Sequence, residues 1–187
     1  MLGMGGELSF AGVSFMGAGA FWIANMTTGR APVTLSPMAA FWLIIPLSAV
    51  VSFAVGLVLL RLKKTFFTFS TIALVQVTFT FYNMYKPLFG GADGISGIPA
   101  TTVFGVKLTD YYKWFPVLLV FSALCGLFVE RVRSTPLGRS LASIRDNETA
   151  ARVLGVNVYM TKVIAFTIAG VLASLAGGLY AMQTKFV

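Results

Sequence analysis

MAAFWLIIPLSAVVSFAVGLVLLRLKK, from Met38 to Lys64, is an apolar block that ends abruptly on Arg61, Lys63 and Lys64. As a helix the block is long enough to cross a hydrocarbon layer of about 30 Å. Its cationic stop belongs on the side of the membrane that collects Lys and Arg, the cytosolic side. The rest of the chain repeats the pattern, with 57% hydrophobic residues, 11% charged residues and a mean hydropathy of +0.86. The apolar residues come in long blocks joined by short polar connections, without strict alternation of apolar and polar positions. Helices that satisfy their own backbone hydrogen bonds are therefore expected rather than a barrel, and the fold class is all-α integral membrane.

Five spans are expected: Leu8 to Met26, Met38 to Leu60, Phe66 to Tyr85, Tyr111 to Val129 and Ile164 to Met182. The first is rich in Gly, Ala and Ser and reads either as a full span or as a broken or re-entrant helix. Lys86 to Lys113 is a long mixed loop, and Tyr111, Tyr112 and Trp114 suit an interfacial belt. There are no duplicated halves, so 1–187 reads as one membrane domain. Met1 leads into Leu-Gly-Met-Gly-Gly without a basic leader, so insertion is assigned to the spans themselves. The small-residue helix near the C-terminus lacks partners in sequence, and the chain reads as a fragment.

The formal charge of +8 is placed unevenly, because six of the fourteen Lys and Arg lie in 131–162 against the two acids Asp146 and Glu148. Placing 61–64 and 131–162 in the cytosol puts 27–37, 86–113 and the C-terminus outside and divides the cations nine to five. The charge thus follows membrane topology, and no nucleic-acid partner is inferred. One Cys and no His exclude disulfide frameworks and Cys/His metal sites, and no cofactor is expected.

The basic loop 131–162 carries explicit helix punctuation. Thr135 is placed to cap a helix with Pro136 at its first position, and Leu137, Leu141 and Ile144 share one face. Asp146 or Asn147 then caps a second helix of about two turns, in which Glu148 and Arg152 are spaced i,i+4 and Gly155 supplies a left-handed stop. A helix that short is marginal in water, so its Ala150, Ala151, Val153 and Leu154 side should pack either on the membrane domain or in a groove of a soluble partner.

SLASIRDNETAARVLGVNVYMTKVIAFTIAGVLASLAGGLYA, Ser140 to Ala181, resembles the cytosolic loop and following helix of inner-membrane permeases of branched-chain amino acid ABC importers, the LivM type. LSFAGVSFMGAGAF from Leu8, LRLKKTFFTFSTIAL from Leu60 and GGADGISGIP from Gly90 agree with that family in order and spacing. The resemblance implies that Asp146, Asn147, Glu148, Ala150, Ala151, Arg152, Leu154 and Gly155 form the loop that sits in a cleft of the ATPase subunit. Glu148 stands one residue further from Gly155 than in the general motif of ABC importers. The resemblance further implies ABC ATPase subunits, a sister permease subunit and a periplasmic substrate-binding protein as partners, in the bacterial inner membrane and its lipid.

Ile164 to Met182 repeats small residues on two adjacent rows, which include Gly170, Ser174, Gly177 and Gly178. Such rows let helix backbones approach closely, within the permease or against a second permease subunit. In the third span Thr65, Thr68, Gln76, Thr80 and Asn83 fall within about a third of the circumference at roughly 100° per residue. The threonines can bond back to their own helix. Gln76 and Asn83 do so less easily, which makes them the best candidates for lining a solute path, with Thr68 and Thr80 on the same face as further candidates. GGADGISGIP lacks a following Gly-Lys-Ser/Thr and offers one acid, Asp93, so it reads as a tight extracellular turn.

No GxxxxGK[ST] occurs, so ATP hydrolysis by a P-loop is assigned to partners and the chain itself is not an enzyme. No charged side chain is expected deep in a span, which weighs against an ion-coupled carrier. The reading is a permease subunit of an ATP-driven importer for branched-chain amino acids or similar small polar solutes. An ATP-independent channel or ion-coupled secondary carrier is the alternative, and a non-transporting scaffold stands behind both.

Overall fold

The computed structural model describes residues 9–31, 33–62, 64–103, 106–108 and 110–187. Leu8, at the expected start of the first span, and Lys63, in the first basic cluster, lie outside the described residues, as does the leader stretch from Met1. Helix α1 is Ala11–Thr27, α2 Pro37–Leu59, α3 Lys64–Met84 and α4 the single turn Lys86–Phe89. A 3-10 turn at Gly91–Asp93 and a two-residue antiparallel ladder, β1 Thr102–Val103 on β2 Val106–Lys107, follow. Then come α5 Tyr111–Ser134, α6 Pro136–Asp146, α7 Glu148–Val153 and α8 Val158–Thr184.

Helices α2, α3, α5 and α8 are long and apolar enough to cross a membrane. The described part of the first span is α1, 17 residues, at the short end of what a bilayer requires. Helix α2 begins as its sequence dictates: Ser36 Oγ accepts from Ala39 N at 3.4 Å and Pro37 occupies the first turn. Pro46 and Pro116 sit inside α2 and α5, as spanning helices tolerate when neighbours re-satisfy the freed carbonyl.

Helix α8 is the axis of the fold, packed chiefly on α1 and α2. Ser174 Oγ donates to the Phe15 carbonyl at 3.0 Å, and a Cβ on Gly177 would overlap the backbone of Met16. A Cβ on Gly170 would collide with Ser52 of α2, and Gly178 lies under Ile44 and Ile23. The small-residue rows of α8 thus face α1 and α2, where close approach gains dispersion contacts that side chains would forbid. The paired contacts also set direction. Gly12 meets Ala173 and Gly177 meets Met16, so α1 and α8 run the same way, whereas Ile44 with Gly178 and Gly56 with Phe166 make α2 run opposite. This relative order agrees with the parity derived from the basic loops.

One core cluster joins Ile23, Ala24, Ala40, Ile44, Leu175 and Leu179; a second, at the other end, joins Ala11, Phe15, Phe67, Val163 and Phe166. In the second, Phe166 meets Phe15 edge to face at 5.6 Å. By contrast, among the described residues of α5 only Trp114, near its start, is buried, and few of α3 are. Apolar surface facing lipid carries no hydrophobic penalty, so such faces are stable as they stand.

The expected loop 86–113 is more structured than its composition implies. Ile95 exchanges both backbone hydrogen bonds with Val187, at 2.7 and 3.1 Å, which staples the Gly-rich stretch to the end of the described chain. Gly94 permits this: its φ is +66° and a Cβ there would strike the Val187 carbonyl. Trp114 is buried with Ile95 and Ile98, its Nε1 donating to the Leu108 carbonyl at 3.2 Å, so it is a core residue rather than a belt residue.

Candidate functional site

Between α5 and α8 the chain builds a compact knuckle. Helix α5 runs on to Ser134 and α8 starts at Val158, so the connection is shorter than the expected 131–162 and Lys162 belongs to α8. Thr135 stands at the N-cap position of α6 with Pro136 after it, but its hydroxyl donates back to the Val132 carbonyl at 2.6 Å instead of capping α6. The end of α5 presents that carbonyl within closer reach. Helix α6 buries Leu141 and Ile144 as its periodicity requires, together with Gly138, whereas Leu137, expected on the same face, is half-buried.

Asn147 caps α7, its Oδ1 accepting from Ala150 N at 3.0 Å, while exposed Asp146 ends α6 and lies 3.4 Å from Arg145. At the other end Val156 N donates to Ala151 O and Gly155 N to Arg152 O, both at 3.1 Å, with Gly155 at φ +83°. This is a Schellman stop, which satisfies the last carbonyls of a six-residue helix. Of the side expected to pack, only Ala151 is buried, against Ile144 and Val158. Ala150 is exposed, and Val153 and Leu154 are 83% and 80% exposed. Ala151 therefore supplies the apolar anchor of α7, and an apolar tip remains open.

Glu148 is held at both carboxylate oxygens. Its Oε1 lies 3.2 Å from Arg152 and its Oε2 lies 2.9 Å from Lys162 Nζ. Lys162 is only 9% exposed, so this pair is partly desolvated and joins α7 to α8. Asn157 caps α8 through Met160 N at 3.1 Å, and the Tyr159 hydroxyl donates to the Leu57 carbonyl at the end of α2. Sequence reasoning missed Lys162 because it began the helix at Ile164. Asn157, a cap residue followed by Val-Tyr-Met, was the signal for the earlier start.

A second candidate is a cavity of about 670 Å³ bounded by α1, α2, α3 and α4. Ser14, Ala18, Phe21 and Asn25 line it from α1, and Leu74, Thr78 and Tyr82 from α3. The sequence-derived path residues Thr68, Gln76, Thr80 and Asn83 are not among its lining. Gln76 and Thr80 are exposed, Thr68 and Asn83 half-buried. Thr80 Oγ1 donates to the Gln76 carbonyl at 2.9 Å, and Asn83 Nδ2 donates to the Phe79 carbonyl at 2.9 Å. Asn83 therefore does bond back to its own helix, contrary to expectation, because its amide reaches the carbonyl four residues back. Among the described residues no group of three His, Cys, Asp or Glu is arranged to hold a metal.

The family model for the branched-chain amino acid transport system / permease component matches residues 1–187. The chain is 28% identical to the high-affinity branched-chain amino acid transport system permease protein LivM of Salmonella typhimurium, over 100% of the chain and 50% of the relative. It is 26% identical to the probable branched-chain amino acid transport permease protein LivM of Methanocaldococcus jannaschii, over 76% of the chain and 42% of the relative. It is 30% identical to the autoinducer 2 import system permease protein LsrC of Klebsiella pneumoniae, over 68% of the chain and 35% of the relative. The chain spans about half the length of the LivM relatives it matches. No solved structure matches it.

Proposed function

The chain belongs to the family of permease components of branched-chain amino acid transport systems, and from that premise we propose that it forms part of the membrane path of an ATP-driven importer. Its helices supply a multi-pass membrane framework. The energy source is a partner ATPase, since the sequence contains no P-loop. The observation that carries this reading is the knuckle at α7: a capped, stopped, two-turn helix with Val153 and Leu154 outermost and Glu148 ion-paired to Lys162 in α8.

Such a part can receive a push and pass it on. A soluble subunit covering Val153 and Leu154 buries apolar area, while the Glu148–Lys162 pair and the Ala151 contact make α7 move with the start of α8. Helix α8 is tight against α1 and α2 through Gly177, Gly170 and Ser174, so displacement reaches the walls of the cavity. The full assembly comprises two ATPase subunits, a sister permease and a periplasmic binding protein in the bacterial inner membrane, with a branched-chain amino acid as solute. In that orientation α6 and α7 face the cytosol and Gly90 to Pro99 faces the periplasm.

The reading is tested by reconstituting the full-length chain with its partners in proteoliposomes and following L-leucine uptake. Uptake that requires ATP hydrolysis is expected. Uptake that continues unchanged without ATP would replace the importer by a channel or an ion-coupled carrier.

A further inference from the structure

We propose that Tyr159 is a positioning residue of the transport cycle: its hydroxyl ties the start of α8 to the end of α2, so that the half of α2 beyond Pro46 moves with α7. This rests on the importer reading and adds how a push at α7 reaches a second helix of the membrane domain.

Leu57 sits in the last turn of α2, where carbonyls lose their helical donors. The Arg61 N–H, which one more turn would bring to Leu57, goes to the Val58 carbonyl at 3.4 Å instead. The Tyr159 hydroxyl takes its place, donating to the Leu57 carbonyl at 2.5 Å across 102 residues of sequence. An unmet carbonyl at the edge of an apolar layer is costly, so this bond holds the two helix ends together.

Tyr159 is itself firmly placed. Its ring packs against the cluster of Leu60, Val163 and Phe166, and Asn157 caps α8 through Met160 N. Lys162, three residues on, lies about 60° round the helix at roughly 100° per residue and holds Glu148 of α7. The first two turns of α8 thus carry two ties, one to α7 and one to α2.

Helix α2 is built to bend under such a tie. Pro46 lacks the N–H that would meet the Trp42 carbonyl four residues back. Ser52 Oγ donates to the Ser48 carbonyl, a back-bond that also bends helices. Leu47, Val51 and Val55, between Pro46 and Leu57, line the cavity, so bending this half reshapes its wall. Elsewhere α8 meets α2 through close packing at Gly170 and Gly178 and a long 3.4 Å contact from Ser52 Oγ to the Thr167 carbonyl. Packed helices can slide on one another, whereas the Tyr159 bond fixes one point.

The test uses the full-length chain assembled with its partners in proteoliposomes, with L-leucine uptake counted per ATP hydrolysed. Tyr159→Phe keeps the ring and removes the donor. It should retain ATPase subunits and hydrolysis at parental level while uptake per ATP falls at least about fivefold. Val163→Ala thins the same cluster without touching the bond; it should lower Tm at least as far as Tyr159→Phe and leave uptake per ATP parental. Pro46→Ala restores the missing donor and stiffens α2, and should lower uptake per ATP without lowering Tm. Parental uptake per ATP in Tyr159→Phe overturns the inference. An equal loss in Val163→Ala overturns it by making packing the cause, and parental uptake per ATP in Pro46→Ala does so by leaving α2 without a hinge. Loss of ATPase subunits from Tyr159→Phe would put the residue in docking rather than transmission, which overturns it too. A parent complex without ATP-driven leucine uptake instead brings down the importer reading, so the two failures are told apart.

Discussion

Lys162 Nζ lies 2.9 Å from Glu148 Oε2, fourteen residues away in sequence and one helix away in the fold. The lysine is nearly buried, so the ion pair acts as a joint between α7 and α8 rather than as a solvated surface contact. Exposed pairs contribute little, whereas removing one partner of a desolvated pair strands the other.

Replacing Lys162 by Met is therefore expected to loosen α7 by about 1–2 kcal/mol, less than for a fully buried pair because Glu148 is partly exposed and keeps Arg152. In the reconstituted complex leucine uptake should fall about tenfold while ATP hydrolysis persists. The reciprocal exchange, Lys162→Glu with Glu148→Lys, should recover part of the uptake, which a general packing defect would not allow.

Gly155 has open space around its α-carbon but a φ of +83°. Gly155→Ala should cost roughly 1–2 kcal/mol from the left-handed conformation alone. Gly155→Pro cannot adopt that φ and removes the N–H that reaches Arg152 O. Proline should abolish uptake while membrane insertion, followed by alkaline extraction, is unchanged.

The contact of α8 with α1 gives a stability prediction. A Cβ on Gly177 would overlap the Met16 backbone, whereas Gly126 on α5 has nothing within 4 Å. Gly177→Ala should therefore destabilise by about 1–3 kcal/mol. Gly126→Ala should be neutral or gain up to roughly 1 kcal/mol of helix propensity. Thermal melting of the full-length protein in mild detergent, read as a shift in Tm, separates the two.

What could be read from sequence follows the physics of the bilayer. Met38–Leu60 is a span on composition alone, and the helix observed there, Pro37–Leu59, differs from it by one residue at each end. The punctuation of α7 was equally plain, because Asn147, Glu148 and Gly155 each act within one turn of their position. Lys162 was hidden because hydropathy locates the apolar part of a helix and not its polar first turns, so the partner of Glu148 fell in an expected loop. The cavity was hidden for a related reason. In water a polar stripe marks the outer face of a helix, but in a membrane it marks no fixed direction. The stripe of Gln76 and Thr80 is exposed, while the more apolar face with Leu74, Thr78 and Tyr82 lines the cavity. Asn25 and Ser14 went unread among the small residues of α1, although Ser14, Ala18, Phe21 and Asn25 recur at helical spacing along one face.

The most direct test is of the apolar tip of α7. Leu154 is 80% exposed, so Leu154→Glu should change the stability of the chain itself by no more than about 0.5 kcal/mol. Purified in mild detergent from its native membranes, the full-length parent should carry P-loop ATPase subunits in fixed proportion. The Leu154→Glu form should reach the membrane at parental level and lose them. ATPase subunits retained at parental stoichiometry on Leu154→Glu would contradict the assignment of α7 as the docking element.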